Sequence, residues 1–144
     1  MKRYRIWACL CLWACCAPAF AQLKTPSLSP KLEAKHQVGL THITITYSRP
    51  SMRGREIFGA DALVPYGQAW RAGANAATKI ELDQDIFLDE KLVEAGVYTI
   101  LVTPQADKWT INWYPYTKTN WQYYLKETPV FTLSSPVQTR KELQ

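Results

Sequence analysis

The sequence predicts an all-β domain, an antiparallel sandwich or barrel with one long Arg/Gly/Pro/Trp-rich loop. Three observations predict it. Apolar and polar residues alternate with period two through most of the chain. No apolar pattern of period 3.6 runs long enough for a dependable helix, although Ala60 to Ala74 has room for one or two turns. A long non-periodic stretch, Tyr47 to Thr78, then separates two alternating runs. Compact domains keep such connections for binding, as lids, or as loops packed by their own side chains.

The chain opens on an address. Lys2, Arg3 and Arg5 form a basic n-region, and Ile6 to Ala17 is an apolar core too short to span a membrane. Ala19-Phe20-Ala21 is a small-x-small cleavage signature, which makes Gln22 the first mature residue. Leu12-Trp13-Ala14-Cys15 offers a rival, lipoprotein processing at Cys15, but Trp13 is bulky where that pattern prefers a small residue. Residues 22–35, with Pro26, Ser27, Ser29 and Pro30, read as a disordered leader, and 36–144 as a single β domain. The expectation is a soluble protein exported to the periplasm or beyond, with no transmembrane segment.

Export changes the composition. All four cysteines (Cys9, Cys11, Cys15, Cys16) lie in the export segment, so the mature chain has no disulfide, thiolate nucleophile or cysteine metal site. The full chain holds 17 basic and 12 acidic residues; removing Lys2, Arg3 and Arg5 leaves 14 against 12, a net +2. That balance does not argue for nucleic acid or an anionic membrane.

The strands follow in order. Ile43, Ile45 and Tyr47 alternate with His42, Thr44 and Thr46; Val38 and Leu40 are out of phase, and a bulge or break near Gly39 restores it. Thr78, Ile80 and Leu82 alternate with Lys79, Glu81 and Asp83. Ile86–Leu88 and Leu92-Val93 flank Asp89-Glu90-Lys91 as a short hairpin. Val97 to Val102 is apolar on both faces, as in a strand covered on two sides. Trp109, Ile111 and Trp113 alternate with Thr110 and Asn112, and Val130 to Leu133 is a last short strand.

Several of these residues carry a resemblance. Gly39-Leu40, Tyr47-Ser48-Arg49-Pro50, Gly54-Arg55, Ile57-Phe58-Gly59, Leu63-Val64-Pro65-Tyr66-Gly67, Trp70-Arg71 and Gly73-Ala74-Asn75 with Thr78 resemble the bacterial domain of unknown function family 2911 (DUF 2911). Ala95-Gly96-Val97-Tyr98 and Trp109 fit its later strands, so the resemblance covers residues 36–133. It implies an exported β domain and supplies no chemistry. The chain departs from the pattern twice. Asp89-Glu90-Lys91 stands where members have an Asn-Gly-type turn. Members also run past the position of Pro136 into further strands, whereas this chain ends on Lys141-Glu142-Leu143-Gln144. A truncated sandwich would keep an unpaired edge and part of an apolar face uncovered.

The candidate ligand-binding residues are Tyr47, Arg49, Arg55, Tyr66, Trp70, Arg71 and Asn75. An arginine's planar fork of donors suits a carboxylate, a phosphate or a polyhydroxyl ligand, and equally the carbonyls of a Gly-punctuated loop. Asn75 is either a ligand contact or an Asx-turn. Trp70 and Tyr66 are either a sugar-stacking platform or a core cap. The late aromatics Trp113, Tyr114, Tyr116, Trp121, Tyr123 and Tyr124 suit a carbohydrate groove or plain edge packing. Catalytic patterns are sparse. His42 lacks metal partners at usable spacing, Ser48 and Ser51 lack a nucleophile elbow, and Glu56 or Asp61 would need a second carboxylate. No cofactor or metal is expected. Three functions remain open: a binding module for a polar, anionic or glycan ligand at the loop; a partner-docking domain using an exposed β edge; and a hydrolase-type enzyme pairing a loop arginine with an acid.

Overall fold

The computed structural model describes residues 25–138. The export segment 1–21, the first leader residues and the polar end Lys141–Gln144 lie outside the described residues. The chain is mostly β: β1 (Lys31–Val38), β2 (Thr41–Ser48), β3 (Phe58–Gly59), β4 (Val64–Pro65), β5 (Ala74–Leu82), β6 (Ile86–Leu88), β7 (Lys91–Val93), β8 (Gly96–Pro104), β9 (Lys108–Pro115) and β10 (Phe131–Pro136). Six of them form one antiparallel sheet in the order β1-β2-β5-β8-β9-β10, and β3-β4 and β6-β7 form two small sheets. Among the described residues the sheet does not close into a barrel.

The period-two pattern gives each face its own core. Ile80, Leu82, Trp113 and Phe131 bury one face together with Val93 from the β6-β7 hairpin, and Ile43, Ile45, Tyr98 and Ile111 pack against them. The other face carries Ala77, Leu101 and Tyr114, covered by Tyr124 and flanked by Trp121. Those last two sit on a 3₁₀ helix, Trp121–Lys126. Val97 to Val102 lies within β8, the strand between both cores, where Thr99, Leu101 and Val102 are almost fully buried.

Three expectations need correction. Residues 31–35, assigned to the leader on composition, belong to β1: Leu32 and Ala34 sit opposite Tyr47 and Ile45, and the sheet register overrides the polar content. The phase change near Gly39 is a hairpin turn, with Gly39 at φ 61 and Gln37–Val38 paired with Thr41–His42. The segment Ala60–Ala74 contains no helix, and the 3₁₀ helix stands where the sequence pattern gave none.

Candidate functional site

The loop leaves β2 at Arg49, whose N–H donates to the Pro30 carbonyl at 2.9 Å and ties the loop to the chain ahead of β1. Arg55 N–H then donates to Met52 at 3.0 Å across a turn whose central residues, Arg53 and Gly54, have φ of 51° and 71°. The Arg55 side chain closes over the same turn, donating from Nε to Met52 and from Nη2 to Ser51, each at 3.0 Å. Arg55 is therefore an internal clamp on loop carbonyls.

Trp70 is half-buried in an aromatic row. Its main chain exchanges two 2.7 Å hydrogen bonds with Val102, extending the sheet where β5 has not begun. Its ring meets Phe58 edge-on at 5.4 Å, and Phe58 in turn meets Trp109 at 4.8 Å. Tyr66 stays exposed on the loop surface. Tyr47 is half-buried within β2 opposite Leu32, beside a register shift. Asn75 sits at φ 60° in that irregularity; its amide faces the Ser29 carbonyl at 3.5 Å instead of closing an Asx-turn.

Arg71 stands apart. Its guanidinium lies 5.3 Å from the centre of the Trp121 ring, and its buried Nε has no hydrogen-bond partner. Among the described residues no carboxylate pairs with it. Local chemistry fixes the residues on both sides. Thr78 donates its hydroxyl to the Arg71 carbonyl at 2.9 Å, and buried Gly73 lets the chain pass close to Ser48. On the partner side Asn120 caps the 3₁₀ helix by accepting from Gln122 N–H at 3.0 Å. The Tyr124 hydroxyl accepts from Thr117 and Lys118 N–H at 2.9 and 2.8 Å and donates to the Lys118 carbonyl.

The same face carries a polar row. Register places Glu33 opposite Thr46, Thr46 opposite Lys79 and Lys79 opposite Thr99. The Lys79 ammonium is engaged by Glu81, which raises its pKa through their hydrogen bond. Thr46 Oγ1 is a second buried polar atom without a partner. The late aromatics do not make one groove: Trp113 belongs to the opposite core, while Tyr114 and Tyr124 are buried, which pushes the Tyr114 hydroxyl's pKa up.

The seven candidates thus do not share one pocket. Arg49 and Asn75 bond Pro30 and Ser29, Arg55 closes the neighbouring turn, Trp70 and Tyr66 occupy the far part of the loop, and Arg71 faces the 3₁₀ helix. A cavity of about 340 Å³ opens at the junction between Leu28, Ser29, Pro50, Ser51, Arg53 and Arg55. A groove of about 480 Å³ between β7, β8 and the start of β10 contains none of the candidates. His42 and Asp83 pair at 2.8 Å beyond the other end of β5 from Arg71, so His42 does not serve that site. Among the described residues no three His, Cys, Asp or Glu side chains gather as metal ligands. No helix is long and apolar enough to cross a membrane.

Sequence reasoning found Arg71 and missed its partner. The Asn-Trp-Gln start at Asn120 is the signal that would have revealed a capped helical turn carrying Trp121. No curated protein and no solved structure matches the chain. A family model described as a protein of unknown function, DUF2911, matches residues 29–144. With most of its length matched, including every strand of the sheet, this chain belongs to the DUF2911 family.

Proposed function

We propose that this domain is an exported binding module for a polar ligand, anionic or glycan, held by Arg71 where the long loop meets the 3₁₀ helix. One observation carries the reading: a half-buried guanidinium with an unpartnered Nε and no carboxylate beside it among the described residues. A buried donor left unpaired costs about 1–3 kcal/mol, more for a charged group, so keeping this arginine here calls for a reason beyond packing. Trp121 contributes about 0.5–2 kcal/mol of cation–π attraction and holds the guanidinium plane in place. Such a preset fork accepts a carboxylate or phosphate in bidentate fashion, or adjacent sugar hydroxyls. The basic n-region, apolar core and Ala19-Phe20-Ala21 site support export, and with it a ligand of the cell envelope.

The test is thermal melting of the chain beginning at Gln22 against acidic glycans, sugar phosphates and dicarboxylates, in wild type and Arg71→Lys. Lysine keeps the charge and loses the planar fork. A true ligand at a hundredfold excess over its Kd adds about 2.7 kcal/mol of stability to wild type, and the variant loses most of that gain. Equal stabilisation of both proteins by every ligand, or of neither, removes Arg71 from the site.

A second reading has one observation in its favour. No described strand pairs with the outer edge of β10, and its residues Phe131–Pro136 carry no charge that would repel an added strand. If the domain docks a partner there, amide protection along β10 rises in the complex and Arg71→Lys leaves binding unchanged.

A further inference from the structure

We propose that the junction cavity is a second, independent site, an oxyanion pocket in which Arg53 and Arg55 take the phosphate group of a small phosphomonoester. The cavity is about 340 Å³, within the range of small-ligand sites. Two guanidinium-bearing residues line it and no acidic residue does. Among the described residues neither arginine pairs with a carboxylate. Arg55 spends Nε and Nη2 on loop carbonyls, which fixes its charge at the wall and leaves Nη1 for a ligand. Leu28 and Pro50 supply an apolar wall for the organic part of the ligand.

The turn itself gives the second argument. Arg53 and Gly54 both have positive φ between the bonded Met52 and Arg55, the arrangement for which Asn-Gly is the favoured pair. A long side chain at φ 51° is strained, and strain of this kind clusters at ligand clamps and switch regions. Glycine follows it where the left-handed conformation requires one, so the turn is optimised at its second position and not at its first. The tie from Arg49 to Pro30 holds residues 28–30 against the loop and makes them part of the pocket. The site lies apart from the Arg71–Trp121 contact and does not depend on it.

Arg53→Asn separates fold from function, because asparagine suits the left-handed turn and removes the charge. Amide chemical shifts of the chain from Gln22 are followed during titration with inorganic phosphate and with glycerol 3-phosphate. The proposal expects saturable shifts at Gly54 and Arg55, tighter for the monoester, at least tenfold weaker in Arg53→Asn, and unchanged in Arg71→Lys. It also expects Arg53→Asn to melt no lower than wild type. Co-sedimentation with phosphatidic acid vesicles, lost in Arg53→Asn, would place the same phosphate on a lipid headgroup; binding to glycerol 3-phosphate alone places it on a soluble molecule. Undiminished affinity in Arg53→Asn overturns the proposal, as do shifts confined to the Arg71 and Trp121 region.

Discussion

Tyr124→Phe removes one oxygen from the centre of the Arg71 platform and tests how that platform is held. Tyr124 is 1% exposed, and its ring packs with Tyr114 and Tyr123 at 5.6 and 5.3 Å. Phenylalanine keeps those contacts and leaves almost no cavity. It strips hydrogen bonds from two backbone N–H groups and one carbonyl at Thr117 and Lys118. Each group left unsatisfied costs about 1–3 kcal/mol when buried, but Thr117 and Lys118 are exposed enough for water to replace part of the loss. The expected cost is about 2 kcal/mol, measured by urea unfolding of wild type and variant at equal m-value. For a domain of this size that lowers Tm by about 8 °C. Tyr123→Phe, altering an exposed hydroxyl next door, serves as the control and stays within about 0.5 kcal/mol of wild type. A Tyr124→Phe variant as stable as that control would refute the claim that this hydroxyl pins the 3₁₀ helix.

Three further outcomes are expected. Gly73→Ala places a methyl 3.0 Å from the Ser48 carbonyl and 3.3 Å from Thr78 Oγ1, and should cost about 1–3 kcal/mol in urea unfolding while disturbing the bond that holds the Arg71 carbonyl. Glu90→Gly should stabilise the β6-β7 hairpin by about 0.5 kcal/mol, since Glu90 at φ 66° bears a left-handed strain that glycine lacks; a lower Tm would contradict this. Asp83 has its pKa lowered, first by the His42 backbone N–H and further by the His42 ring. The folded state therefore favours the carboxylate, so this contribution is present above the ordinary carboxylate range and fades as pH falls through about 4 and below. Unfolding followed by circular dichroism across that range should show a shallower acid limb in Asp83→Asn than in wild type.

The sheet was legible because β2, β5 and β9 alternate apolar and polar residues. Ile43-Ile45 and Ile80-Leu82 fix which face is buried, and one face fixes the register. β1 was hidden because its own alternation is weak: Lys31, Glu33, Lys35 and His36 leave only Leu32 and Ala34 half-buried, and pairing with β2 decides the matter. The 3₁₀ helix was hidden because six residues carry no readable period, and one buried tyrosine holds it in place. At the site, the choice between clamp and ligand contact could not be made from residue type. Arg55 and Arg71 have the same donors, and only the fold shows that Arg55 reaches carbonyls of its own turn, three and four residues back, while Arg71 reaches a ring fifty residues on. The loop and the arginines were readable; the distant partners of Arg49 and Arg71, Pro30 and Trp121, were not.

The most direct test of the Arg71 site watches its side-chain Nε–H by ¹H–¹⁵N correlation in the chain from Gln22 during titration with an acidic saccharide. Binding at this guanidinium predicts a saturable shift of the Arg71 Nε–H resonance, accompanied by movement of the Trp121 indole resonance and abolished in Arg71→Lys. Saturable binding that leaves both resonances where they were would contradict the account.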